Sequence, residues 1–179
     1  MHTNQAHAPS TLARAVQWNE DAGNSHKPLG TPDLAALATQ MAFVSEEFVE
    51  TTTETDALRV DTVAAVKELA DLIFTSAEAM RRLGFDPDVV MDLVCDSNDS
   101  KFCASAAEVE QALVHFSGRG IKTEQVQANS GLIVFISAKD QTIGQKFYKK
   151  GKVLKSPCYY KAEPAIAAYA DVLGSADHA

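Results

Sequence analysis

Residues 61–84 read DTVAAVKELADLIFTSAEAMRRLG, and this run decides the fold class. Val63, Val66, Leu69, Ala70, Leu72, Ile73, Phe74, Ala77 and Met80 sweep about 200° of a helix at roughly 100° per residue. The spacing predicts a helix from about Asp61 to Leu83, stopped by Gly84. So wide an apolar arc predicts a helix buried between others. One polar strip is left on it, and Glu68 and Asp71 stand in that strip at i, i+3.

On the N-terminal side, Thr31 and Pro32 read as a cap and first-turn proline for a helix reaching about Thr51. Leu34, Leu37, Ala38, Met41, Val44 and Phe48 form its apolar stripe, and the β-branched run Thr51 to Thr53 predicts a loop or fray. Residues 1–30 are polar and aperiodic and read as an arm anchored by Trp18. On the C-terminal side, Asp86-Pro87 opens a third helix towards Lys101, and Ser105 with Glu108 makes a capping box for a fourth ending near Gly118 and Gly120. Beyond Gly120 the period changes. Leu132 to Ile136 and Lys146 to Leu154, with a Lys149-Lys150-Gly151 turn, predict a small antiparallel sheet or hairpin, and Glu163 to Leu173 a short helix.

The expected architecture is therefore all-α with a small C-terminal β appendage. Its parts are an arm (1–30), a helical catalytic core (31–120) and a hairpin with a basic tail (121–179) packed on the core as one domain. No apolar run reaches about 18 residues and no secretion signal is visible, which predicts a soluble, cytoplasmic protein with no membrane partner. Cys95, Cys103 and Cys158 suggest neither a disulfide framework nor a zinc site, and His26 and His115 lack a partner at ligand spacing.

The net charge of −8 argues against general nucleic-acid binding, but the charge is segregated. From Asp33 to Glu110 there are 17 acidic and 5 basic residues, a net of −12; from Lys139 to Lys161 there are seven lysines and only Asp140, a net of +6. Acidic helices suit hard cations and a basic tail suits phosphates. Within the acidic part, Glu46-Glu47-Phe48-Val49-Glu50 places Glu47 and Glu50 at i, i+3 on one helix, as Glu68 and Asp71 are on the next. Carboxylates brought together at a buried edge repel unless neutralised, and oxygen ligands without Cys or His favour Mg²⁺, with Mn²⁺ as a substitute. Mg²⁺ commonly bridges to substrate phosphates.

Glu-x-x-Glu at Glu47 and Glu50, a spacer, then Glu-x-x-Asp at Glu68 and Asp71 resembles the metal-binding signature of the MazG-like, all-α nucleoside triphosphate pyrophosphohydrolases. The segment from Gly84-Phe85-Asp86 to Ser97-Asn98-Asp99-Ser100-Lys101-Phe102 is similar to the family's stretch ending in Asn-x-x-Lys, and the tail from Gly151 to Lys161 resembles that of phage-type and bacterial members. Residues 121–150 depart from the family core. The resemblance implies a helical bundle, dimeric or tetrameric, that cuts a (d)NTP to the monophosphate and pyrophosphate. It implies Glu47, Glu50, Glu68 and Asp71 as Mg²⁺ ligands, Glu46 or Glu47 as the residue that orients or deprotonates water, and Asn98 and Lys101 as nucleotide contacts. Trp18, Asn19, Lys155, Tyr159 and Lys161 are further substrate candidates. MazZ-like phage members remove dGTP, which makes a purine dNTP, dGTP first, the favoured substrate and a host cytoplasm the setting if the chain is phage-encoded. Two other readings stay open: a nucleic-acid-binding module built on Lys139 to Lys161 with Tyr148 or Tyr159 stacking, and a helical oligomerisation protein whose carboxylates are a solvated face.

Overall fold

The computed structural model describes residues 8–55 and 60–176, and the chain divides into two compact units, Met1–Asp92 with Ile166–Ala179, and Leu93–Ala165. Among the described residues the chain is mostly helical with two small β-hairpins, and no helix is long and apolar enough to cross a membrane.

The first unit is built on α1 (Thr11–Asp21), α2 (Leu34–Glu54) and α3 (Thr62–Arg82), with α2 and α1 both packed on α3. The first turn of α4 (Pro87–Asp99) and the later turns of α6 (Glu163–Ala176) belong to it as well. The expected arm thus contains a helix from Thr11, while residues 1–7 lie outside the described ones. Ser10 explains its start: the hydroxyl accepts from the Ala13 N–H at 2.9 Å and donates to Asp88. The apolar stripe of α1 is only Leu12, Ala15 and Val16, with Asn19 buried at its end, too little for periodicity to register.

Helix α2 starts later than expected. Its cap is Asp33, which accepts from Ala36 N–H at 3.3 Å, so Thr31 and Pro32 stay outside. It also runs past Thr51, because the Thr52 and Thr53 hydroxyls donate to the Val49 carbonyl at 2.9 and 2.8 Å and Thr55 to that of Thr51 at 2.7 Å. Asp61 caps α3 through the Val63 and Ala64 amides. Gly84 follows α3 at φ +87°, where any Cβ would come to 2.9 Å from the Thr31 nitrogen. The wide apolar arc of α3 is only partly covered, contrary to expectation. Ala65, Ala77 and Ala79 are buried, whereas Val63 is 79% exposed, Val66 65% and Ile73 58%.

The most deeply buried charge of this unit is Glu78, with no exposed surface. Arg82 Nε lies 2.7 Å from its Oε1, and His26 Nε2 lies 2.8 Å from the same atom. The other His26 nitrogen, Nδ1, is 2.8 Å from Glu20 Oε1, so only the doubly protonated ring donates to both carboxylates. Arg82 also donates to the Ser25 carbonyl and Arg81 to that of Lys27, each at 2.7 Å. The connection between α1 and α2 is thereby tied to the end of α3.

The second unit contains α5 (Ala106–Gly118), capped by Ser105, with the Glu108 carboxylate accepting from Ala104 N–H at 2.6 Å. Strand β1 (Thr123–Gln127) pairs antiparallel with β2 (Ile133–Ser137), Gln125 opposite Phe135, and β3 (Gln141–Ile143) pairs with β4 (Lys146–Tyr148). Residues beyond the Lys149–Gly151 turn return beside β2, where Leu154 N–H donates to the Phe135 carbonyl at 2.8 Å. Phe116, Ile121, Phe135, Tyr148 and Leu154 form the core with Cys103 and Ala112. All three cysteines are free, and only Cys103 is buried.

Removing one partner from a buried, paired charge leaves the other uncompensated. Arg82→Ala or Glu78→Ala is expected to destabilise the protein by about 3–5 kcal/mol, read as a lowered urea midpoint. The double variant Glu78→Leu/Arg82→Met should recover much of the loss.

Candidate metal centre

The antiparallel packing of α2 on α3 brings Glu47 and Glu50 to Glu68. One carboxylate oxygen from each of these three residues lies within 4.8 Å of the others. They are three of the four ligands expected from sequence. Asp71 is outside this trio, but its charge acts on Glu47, and Lys67 holds it at 2.9 Å from Oδ2. Lys67 also lies 3.0 Å from Glu68 Oε2. Glu46 is exposed on α2 and contributes only a smaller repulsion to Glu47.

Crowding of like charges shows in the titration of the site. Burial, first, and then the Asp71 and Glu68 charges hold the Glu47 carboxyl above its ordinary range. A hydrogen bond shared with Glu68, reinforced by that residue's charge, raises Glu50. Bonds to Asp71 and Glu68 push Lys67 upward, as expected of an ammonium acting as local counterion. Lys67 does not complete the neutralisation. Glu47 Oε2 is buried and has no hydrogen-bond partner among the described residues, and Thr51 Oγ1, one turn further along α2, shares that condition. An orphaned buried carboxylate oxygen within an all-oxygen donor set suits a hard divalent cation such as Mg²⁺.

A cavity of about 670 Å³ adjoins these acids, with Glu47 and Asp71 in its wall. Trp18, Phe43 and Phe74 supply aromatic surface, and Trp18 meets Phe74 edge-on at 5.5 Å. Asn19, Gln40 and Arg82 are the buried polar residues of the lining, and Arg82 is already engaged by Glu78 and the Ser25 carbonyl. The two amide nitrogens are engaged, Asn19 Nδ2 with the Ala15 carbonyl at 3.0 Å and Gln40 Nε2 with that of Thr75 at 2.9 Å. No hydrogen bond to either amide oxygen is present among the described residues. Trp18 and Asn19 thus line the same cavity as Glu47 and Asp71. Gln40, Phe43 and Phe74 were missed, since nothing in the α2 and α3 periodicity separates a cavity wall from a packed face.

The remaining substrate candidates lie in the second unit. Asn98 accepts from Lys101 Nζ, and the Lys101 and Lys155 ammonium groups lie 6.0 and 4.1 Å from the centre of the Tyr159 ring. Bonds from Lys155, first, and from Ser97 hold the Tyr159 hydroxyl below its usual range. Lys161 is exposed and makes no ion pair among the described residues. No protein-family profile matches the chain, and no curated protein matches it.

Raised carboxyl pKa values mean that the native state binds more protons than the unfolded chain above the ordinary value of 4.5. The resulting ionisation penalty is absent below that value and grows as pH rises through the raised ones. In EDTA, Glu47→Gln is therefore expected to melt above the wild type at pH 7.5, with the difference shrinking towards pH 4.5. Saturating Mg²⁺ should raise the wild-type melting temperature by about 5–10 °C and leave the variant nearly unmoved.

Proposed function

We propose that the protein is a MazG-like, magnesium-dependent nucleoside triphosphate pyrophosphohydrolase, converting a (d)NTP and water to the monophosphate and pyrophosphate. The observation that carries the reading is the convergence of Glu47, Glu50 and Glu68 around an orphaned buried oxygen beside an aromatic-walled cavity. In this reading Glu47, Glu50 and Glu68 hold Mg²⁺, with Mn²⁺ as a substitute, and Asp71 joins them when Lys67 gives way. The metal supplies polarisation of the phosphoryl oxygens and charge compensation for the departing pyrophosphate. Glu46 or Glu47 accepts a proton from the water that attacks the α-phosphorus, and the bond to the β-phosphoryl oxygen breaks.

The base stacks against Trp18 and Phe74 in the cavity. The amide oxygens of Asn19 and Gln40 are acceptors, which favours a base edge with N–H donors, and guanine offers adjacent ring N–H and amino groups. That chemistry supports dGTP as the first substrate to test. The cytoplasm, where nucleotide pools reside, is the compartment this activity requires.

A panel of dNTPs and NTPs with Mg²⁺ or Mn²⁺, resolved by chromatography, tests the reaction. Monophosphate and pyrophosphate are the expected products, and orthophosphate as the direct product would contradict α-phosphorus attack. Glu50→Gln and Glu68→Gln should each lower kcat by at least about a hundredfold while leaving the helical circular dichroism intact. For the base, dITP, which lacks the amino group of dGTP, should show the higher KM, and uniform turnover of all bases would remove the dGTP preference.

Assembly follows from the uncovered side of α3. Val63, Val66 and Ile73 form one stripe, and Phe48 and Val49 on α2 are 57% and 59% exposed. These residues support a homodimer or homotetramer of the 19.2 kDa chain. Val66→Glu with Ile73→Glu should lower the mass measured by light scattering towards that of one chain. An unchanged mass would place the interface elsewhere.

A further inference from the structure

A second cavity, of about 330 Å³, lies wholly within the second unit, far along the chain from the acidic helices. Its floor is apolar: Phe116, Ile121, Tyr148 and Leu154 belong to the core of that unit. Its walls carry Arg119, Lys146, Lys152 and Lys155. None of these four makes an ion pair with a carboxylate among the described residues. Asp140, the only acid from Lys139 to Lys161, is instead engaged by the backbone N–H of Lys150 at 2.7 Å.

The cations are set on fixed backbone. Lys146 stands in β4 opposite Ile143, and the Lys152 carbonyl accepts from Ser137 N–H at 2.9 Å. Leu154 is tied to Phe135, and Arg119 is the cap residue closing α5. Lys146 Nζ rests 5.1 Å from the centre of the Tyr148 ring and Lys155 Nζ 4.1 Å from that of Tyr159. The ring face steadies the Lys146 ammonium without using up its N–H donors, whereas Lys155 spends one on the Tyr159 hydroxyl. Arg119 spends one donor on His115, at 3.3 Å.

Four exposed like charges lining one concavity raise its positive potential, and an anion held among them relieves their mutual repulsion. A protein of net charge −8 has abundant carboxylates, yet none faces this cavity as a partner. The volume falls in the lower range of small-ligand pockets, and a closed apolar floor fits a compact ligand better than a passing strand. We propose that this cavity is an anion subsite for an oligophosphate group, either free inorganic di- or triphosphate or the phosphate tail of a nucleotide. Its ammonium and guanidinium groups bind phosphoryl oxygens by charge-assisted hydrogen bonds. The site is independent of the acidic centre and does not require the hydrolase reading.

Calorimetric titration of the full chain in EDTA, which removes any cation from the acidic helices, tests this directly. Sodium tripolyphosphate and dGTP are the separate probes. Saturable tripolyphosphate binding is expected, weakened by about tenfold or more in Lys146→Gln/Lys152→Gln. Lys149→Gln/Lys150→Gln, which removes the same charge from the neighbouring turn outside the cavity, should bind as the wild type does. With both probes weakened by Lys146→Gln/Lys152→Gln, equal affinity identifies the oligophosphate alone as the ligand and tighter dGTP binding identifies a nucleotide tail; dGTP binding that this variant leaves unchanged belongs to the cavity of the first unit and, without tripolyphosphate binding, overturns the subsite. Equal weakening in the two double variants, or no saturable binding of either probe, overturns it. So does tighter binding of a single-stranded oligonucleotide than of tripolyphosphate, since that result marks a strand-binding surface. Superimposable thermal melts of the variants confirm that the comparison is between folded proteins.

Discussion

The Glu78 carboxyl group has no access to water, and the arrangement of the first unit follows from how it is satisfied. Its partners come from two directions: Arg82 from the next turn of the same helix, and His26 from the connection between α1 and α2. An isolated buried carboxylate is untenable, so the connection has to come to α3. Arg82 then reaches Ser25 and Arg81 reaches Lys27, which stitches the connection down residue by residue. With that segment fixed, α1 lies along α3, and Trp18 and Asn19 become part of a cavity wall. The ion cluster at one end of α3 thus borders the cavity directly, through Arg82, and sets the geometry of its wall.

The acidic cluster obeys the opposite rule. Glu78 is buried and fully partnered, whereas Glu47 is partly buried and has one oxygen with no partner among the described residues. Lys67 compensates part of the charge by standing between Glu68 and Asp71, but its own ammonium is largely exposed and the neutralisation is local. A fold selected for stability alone would replace such a cluster with apolar or paired residues. Together with the unpartnered Thr51 Oγ1 one turn further on, it leaves this stretch of the helix pair locally unsatisfied among the described residues, and its three carboxylates could hold a cation.

Sequence periodicity made much of this legible. The two helices and the carboxylate pairs on them follow from i, i+3 and i, i+4 spacing, and the α5 cap and the β2 strand from local chemistry. What escaped depended on distance along the chain or on weak signals. His26 reads as partnerless because Glu78 is 52 residues away. Strand β1, Thr-Glu-Gln-Val-Gln, has one strong β-former and is exposed along most of its length, so only its pairing with β2 defines it. The α1 stripe is too short to stand out from its polar flanks. The breadth of the α3 arc was visible, but one chain does not cover it, because periodicity reports apolar surface and not what covers it. The pairing of Lys67 with Asp71 was readable as an i, i+4 contact, yet its part in the acidic site needed the position of Glu68 as well.

Gly84 has a consequence of another kind. Here two backbones touch with nothing between them, and the conformation itself excludes side chains. Acidic residues can migrate by a turn, or exchange Asp for Glu, and still surround an ion; this joint has no such latitude. Descent with modification would therefore preserve one atom-sized absence more faithfully than the charged groups that attract notice. In remote kin, a lone glycine following the second long helix would be the more durable mark of shared ancestry.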